Sequence, residues 1–225
     1  MFADRLSEIR KNIDAAMKKV GRTDKVEVVA VSKYYPSEAI LDAYTQGHRI
    51  FGESRVQEAV EKKEILKDLT ELELHFIGHL QTNKVKYLGD IFKLIHSVDS
   101  EKLAEELDKY FCKTGHVQDV LVQVNIADDP DKSGVTSEGA EALCTAIMNM
   151  PNLNLRGLMM IPPLTDDEEK NRKYFTAMKE LFDNLSVRMG SAFDILSMGM
   201  SDDYTIAVEE GSNMVRIGTA LFGGR

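Results

Sequence analysis

Eight times along this 225-residue chain a short apolar run gives way to a helical pattern. The runs fall at residues 26–32, 49–52, 74–78, 93–98, 120–125, 155–160, 195–198 and 214–218. Several, such as Val26-Glu27-Val28-Val29-Ala30-Val31-Ser32, are β-branched and apolar on both faces, as buried parallel strands are. Between them, helical spacing predicts helices from Pro36 to Gly47, then near 55–68, 81–89, 100–114, 136–149 and 166–189, with short ones up to Glu210 and after Thr219. An extra helix precedes the first strand, with Leu6, Ile9, Ile13, Met17 and Val20 on one face and Gly21 at its end. No linker or composition shift divides the chain. Strict βα alternation implies an α/β protein with a parallel sheet inside and helices outside. Eight units in one domain, residues 1–225, predict a (β/α)8 TIM barrel, a fold that typically takes about 250 residues. The alternative, an open doubly wound sheet, usually has fewer strands, and no GxGxxG follows any strand here.

The charge balance narrows the partners. Lys and Arg number 28 against 37 Asp and Glu, a net charge of −9. Nucleic acid and anionic membrane surfaces both reward the opposite sign. No apolar run approaches the roughly 20 residues that span a bilayer. The N-terminus, Met1-Phe2-Ala3-Asp4-Arg5, lacks a signal-peptide core. A cytoplasmic monomer is expected. Cys112 and Cys144 have no Cys or His companions for a zinc site, and are expected as two buried thiols in a reducing compartment. His75 and His79 have the spacing of a helical metal pair, but along a strand that spacing separates them by roughly 13 Å. His48, His96 and His116 add no cluster in sequence, so no metal site is expected. Runs such as Glu61-Lys62-Lys63-Glu64 read as solvated helix faces. Met159, Met160 and Met198 read as core filler. No Walker A, HExxH or GxSxG motif occurs.

In a (β/α)8 barrel the chemistry sits at the carboxyl ends of the strands, often with a phosphate site after strands seven and eight. The first strand ends in Ser32-Lys33-Tyr34, and alternation puts Val29, Val31 and Lys33 on one face. Lys33 either snorkels to water or is an amine held ready to form a Schiff base. The seventh strand ends in Gly199-Met200-Ser201-Asp202-Asp203 and the eighth in Arg216-Ile217-Gly218-Thr219. Backbone N–H groups and hydroxyls at such turns can cradle a phosphate, and the same residues also suit plain turn and cap chemistry. Strands seven, eight and one are neighbours in a closed barrel, so these groups would face one mouth.

Longer motifs are specific: Ala30-Val31-Ser32-Lys33, His75-Phe76-Ile77-Gly78-His79-Leu80-Gln81-Thr82-Asn83-Lys84, His96-Ser97-Val98-Asp99-Ser100, Ser197-Met198-Gly199-Met200-Ser201-Asp202 and Val215-Arg216-Ile217-Gly218-Thr219. In order and over nearly the whole chain, this pattern resembles the pyridoxal phosphate homeostasis protein family, which is similar to the N-terminal barrel of alanine racemase. The resemblance implies that Lys33 forms a Schiff base with pyridoxal 5′-phosphate. It implies that Ser201, the backbone around Met200, Gly218 and Thr219 hold the phosphate, and that Arg216 faces the pyridine nitrogen. The family often has Gly-Glu-Asn after strand two, where a side chain lies near the cofactor ring. This chain has Gly52-Glu53-Ser54, which puts Ser54 at that position. The implied function is to hold the cofactor and buffer it or deliver it to apo pyridoxal-phosphate enzymes, without efficient catalysis. The alternative is an amino-acid racemase, which by the same resemblance needs a second base, a tyrosine from a C-terminal β domain of a partner subunit. The sequence ends at Arg225, so that domain is expected to be absent. A cofactor-free phosphosugar enzyme is a third reading, with Glu53 as its carboxylate base.

Overall fold

A parallel ring is built strand by strand in chain order. It runs β1 (Glu27–Val31), β2 (Ile50–Glu53), β3 (Glu73–Phe76), β4 (Phe92–Val98), β5 (Gln118–Val124), β6 (Leu153–Met160), β7 (Ile195–Ser197) and β8 (Met214–Ile217). β8 pairs back onto β1, with Val29 opposite Arg216, so the barrel closes. These are the strands of a computed structural model that describes residues 1–224. The (β/α)8 barrel expected from the alternation is the fold observed.

The helices follow the strands. α1 (Phe2–Lys19) is the extra element, and it buries Phe2, Leu6, Ile9, Ile13, Ala16 and Met17. The outer layer continues as α2 (Ser37–Thr45), α3 (Val56–Ile65), α4 (Glu101–Thr114), α5 (Ser137–Met148), α6 (Glu168–Met189), α7 (Tyr204–Glu209) and α8 (Thr219–Phe222). Their starts are chemically marked. Ser100 Oγ accepts from Leu103 N, Thr136 Oγ1 from Gly139 N, and Asp167 Oδ1 from Glu169 N and Lys170 N. The helix expected near 81–89 is instead a 3₁₀ turn, Thr82–Tyr87. Its buried anchors Val85 and Leu88 are three residues apart, a spacing that a three-residue turn stacks on one side.

Two glycines are required by geometry. Gly157 has φ +145° at the β6 irregularity, where a Cβ would lie 1.9 Å from Ile195 O. Gly199 has φ +93° just after β7, and a Cβ there would lie 2.6 Å from that of Ala207. Most of the core lies between strands and helices. A smaller apolar cluster of Val29, Leu94, Leu121, Met159 and Met214 fills the barrel itself. Cys144 is buried as expected, but Cys112 is exposed. It follows Phe111 on α4, and the apolar face of that helix is carried by Leu103, Ala104, Leu107 and Phe111. Among the described residues no helix is long and apolar enough to cross a membrane.

Candidate functional site at the barrel mouth

β8 carries the most unusual side chain in the barrel. Arg216 stands two residues beyond Met214, facing inward, and is only 4% exposed. Its Nη1 donates to Ser197 O at 2.9 Å and Ser197 Oγ at 2.7 Å, and its Nη2 donates to Met160 O at 2.7 Å. The guanidinium therefore spans the carboxyl ends of β6 and β7. Among the described residues no carboxylate forms an ion pair with it. Burial pushes its pKa down to about 10, which leaves it charged at neutral pH.

Ser197 links the arginine to two histidines. His96 Nδ1 lies 3.1 Å from Ser197 Oγ, and His96 Nε2 lies 3.0 Å from His75 Nδ1. The expectation that the histidines form no cluster is thus corrected. β3 and β4 are adjacent and both side chains face the barrel axis, which sequence spacing does not show. Among the described residues no three His, Cys, Asp or Glu side chains gather as metal ligands. Desolvation pushes His75 down to about 3 and holds His96 well below the usual histidine range, so both are neutral donors and acceptors.

Lys33 sits just past β1, half-buried, in a turn closed by Tyr35 N donating to Ser32 O at 3.0 Å. Among the described residues its ammonium has neither a hydrogen-bond nor an ion-pair partner. The neighbouring β8 turn brings Gly218 beside Val31; a Cβ on Gly218 would lie in ordinary contact with Val31, whose Cβ would be 3.5 Å away. Ser201 Oγ reaches across from the β7 turn and accepts from Gly218 N at 3.3 Å and Ala220 N at 3.5 Å. Thr219 is exposed on the same turn. Met200 is near, but its N–H is already spent on Asp203 Oδ1 at 2.6 Å. Asp203 is buried, and desolvation raises its pKa against the opposing pull of the Met200 N–H. Lys33, Arg216, Ser201, Gly218 and Thr219 thus share one barrel end. Ser54 lines a different cavity, of about 430 Å³, between α3 and the 3₁₀ turn. That cavity includes none of the other five.

The family profile described as alanine racemase, N-terminal domain, matches residues 5–225. The pyridoxal phosphate homeostasis protein of Aquifex aeolicus is 45% identical over 223 residues, covering 99% of this chain and 97% of its own. The Escherichia coli K12 protein of the same name is 39% identical and covers 100% and 97%. The chain belongs to the pyridoxal phosphate homeostasis protein family. Among solved structures, PipY of Synechococcus elongatus with pyridoxal phosphate bound is 35% identical, with a TM-score of 0.87, covering 99% of this chain and 100% of that one. An alanine racemase of Clostridium difficile shares the fold at 16% identity and a TM-score of 0.74, covering 99% of this chain and 60% of that one.

In this member of the pyridoxal phosphate homeostasis protein family, two carboxylate and lysine assignments from sequence need correction. Glu53 is not a base at the mouth. It is 0% exposed and faces outward from β2 toward α3, accepting from Ser32 Oγ at 2.6 Å and Lys62 Nζ at 2.8 Å. Lys62 is not on a solvated helix face. It is 5% exposed and also donates to Ser32 O at 2.9 Å and Glu58 Oε1 at 2.7 Å. Burial raises the Glu53 pKa, against the pull of Lys62 and Ser32. Its register was readable: Ile50 and Gly52 face inward, so Phe51 and Glu53 face out.

Proposed function

We propose that the chain binds pyridoxal 5′-phosphate at this mouth and buffers or delivers it to apo-enzymes, without efficient catalysis of its own. One observation carries the reading: among the described residues, a buried guanidinium that makes no direct ion pair and a lysine with no hydrogen-bond or ion-pair partner occupy the same barrel end. Buried Asp203 acts on Arg216 only without direct contact, and a buried charge lacking a direct ionic partner is costly, so a ligand acceptor is a natural complement of Arg216. The residues fit this cofactor chemically. Lys33 would offer its amine to the cofactor's aldehyde, the pairing that Schiff-base chemistry requires. The N–H groups of Gly218 and Ala220, which now share Ser201 Oγ, are donors suited to a phosphate dianion, as are the Ser201 and Thr219 hydroxyls. Arg216 offers remaining N–H donors to the ring nitrogen. The names of the relatives and the cofactor bound to PipY support the same reading.

The cofactor supplies an electron sink for amino-acid chemistry when its ring nitrogen is protonated. Arg216 opposes that role. With its pKa near 10 it stays charged, and it donates a hydrogen bond rather than a proton. The deciding experiment pairs two assays on protein loaded with pyridoxal phosphate. One is racemisation, transamination and decarboxylation across the amino acids; the other is reactivation of an apo pyridoxal-phosphate enzyme. The expected outcome is transfer without useful turnover. Turnover near the roughly 1–10³ s⁻¹ usual for enzymes contradicts the carrier reading.

A further inference from the structure

We infer that Lys62, Glu53 and Glu58 form a clamp on the outer wall of the barrel that positions Lys33 for its aldehyde ligand. The inference rests on the reading that Lys33 carries the cofactor, and it assigns a role to residues that do not touch the site.

Lys33 lies between two backbone anchors, and both are held by α3. On one side, Ser32 O accepts from Lys62 Nζ, while Ser32 Oγ donates to Glu53 Oε1. On the other, Tyr34 N donates to Glu58 Oε1 at 2.9 Å. Lys62 closes the circuit by donating to both Glu53 Oε1 and Glu58 Oε1. One ammonium thus ties together the residues before and after Lys33. Tyr34 needs such a hold, because its φ is +68°, a left-handed conformation unfavourable for a side chain with a Cβ. Arg55 adds a second contact, its guanidinium lying 5.0 Å from the centre of the Tyr34 ring. Without the clamp, the turn can relax Tyr34 toward negative φ, which re-aims the preceding peptide and the Lys33 stem with it. A long flexible lysine with no other partner has nothing else to set its direction. The phosphate donors, by contrast, come from the β7 and β8 turns and make no bond to the clamp. The clamp should therefore act on capture of the aldehyde and leave anchoring of the phosphate alone.

The test compares two ligands. Pyridoxal 5′-phosphate can condense with Lys33; 4′-deoxypyridoxine 5′-phosphate has the same ring and phosphate but no aldehyde. Affinities are measured for wild type, Lys33→Ala, Glu58→Ala, Lys62→Met and the Glu53→Gln/Lys62→Met double variant. The double variant avoids stranding a buried carboxylate if the single one folds poorly. In Lys62→Met or the double variant, the aldehyde ligand should weaken at least about tenfold while the deoxy ligand changes less than about twofold. Glu58→Ala, which frees Tyr34 N and one of the three bonds of Lys62 but leaves Ser32 O and Glu53 held, should show the same selectivity at about threefold. The Schiff-base absorbance should appear more slowly in each. Equal loss for both ligands would mean a merely structural role and overturn the clamp, and so would unchanged affinity for both in folded variants. If Lys33→Ala itself leaves the aldehyde ligand unaffected, the Lys33 reading falls first. If Lys33→Ala costs affinity and the α3 variants do not, only the clamp falls.

Discussion

Two buried polar clusters flank the end of β1, one outside the barrel wall and one inside. The outer one joins Ser32, Glu53, Lys62 and Glu58, and its charges come in opposite signs within hydrogen-bond reach. The inner one runs from Arg216 through Ser197 to His96 and His75, and it holds one charge among neutral partners. Both are largely buried, yet only the outer one pairs its cation directly with carboxylates. The contrast teaches that burial of a charged side chain does not by itself mark a ligand site. The outer cluster is nearly closed on itself, with only Glu53 Oε2 lacking a partner, and it serves the backbone. The inner cluster keeps a charge that, among the described residues, makes no direct ion pair and feels Asp203 only without contact.

The sharpest way to break this comparison is to remove the lone cation of each cluster. Lys62→Met strands the Glu53 carboxylate and should lower unfolding free energy by about 3–5 kcal/mol. Arg216→Met removes a charge that makes no direct ion pair, along with hydrogen bonds to Ser197 and Met160. It should change apo-protein stability by no more than about 1 kcal/mol while weakening cofactor binding at least about tenfold. Urea unfolding of the apo-proteins decides it. A mild Lys62→Met beside a severe Arg216→Met would reverse the assignment of the two clusters.

A second effect, graded by pH, sharpens the inner cluster alone. His75 titrates near 3 and His96 well below the usual range, both because burial disfavours the charged ring. In the unfolded chain both titrate near about 6.5. Their folded pKa is depressed, so the unfolded state binds more protons as the pH falls. Stability is then full above the unfolded pKa and declines as pH drops toward the folded value. Each histidine contributes a slope of up to about 1.4 kcal/mol per pH unit in that window. His48, also depressed by burial, adds to it. Urea midpoints between pH 7 and 5 should fall in wild type, and His75→Asn should flatten the slope. Identical slopes in the two proteins contradict the neutral-histidine account.

The smallest effect concerns the phosphate turn. Ser201→Ala with Thr219→Ala removes two hydroxyl donors, each worth roughly 1.5–3 kcal/mol toward a charged ligand. Cofactor retention should weaken at least about tenfold in the double variant, with apo-protein stability nearly unchanged. Unchanged retention removes the β7 and β8 turns from the site.

The sequence made the barrel legible because short continuous apolar runs and helical spacing alternate without interruption, and because eight such units fit a closed (β/α)8 ring. Strand ends then pointed to Lys33, Arg216, Ser201, Gly218 and Thr219, since a closed ring makes β1 and β8 neighbours. What stayed hidden depended on direction rather than on adjacency. Lys62 sits in a Glu-Lys-Lys-Glu run, and no local pattern separates the lysine that turns inward beneath Ser32 from Lys63, which does not. His75 and His96 are 21 residues apart and meet only because β3 and β4 align their inward faces. Ser54 follows β2 directly and lines the cavity beside α3, a position that strand-end reasoning alone does not resolve.

The central claim is that Lys33 is the residue that carries the cofactor. Reduction of the pyridoxal-phosphate-loaded protein with borohydride, followed by proteolysis and peptide mass mapping, tests it directly. The account predicts a phosphopyridoxyl adduct on the peptide containing Lys33, and its loss in Lys33→Ala. An adduct on Lys62, Lys84 or Lys132 in the wild-type protein, with Lys33 unmodified, would contradict it.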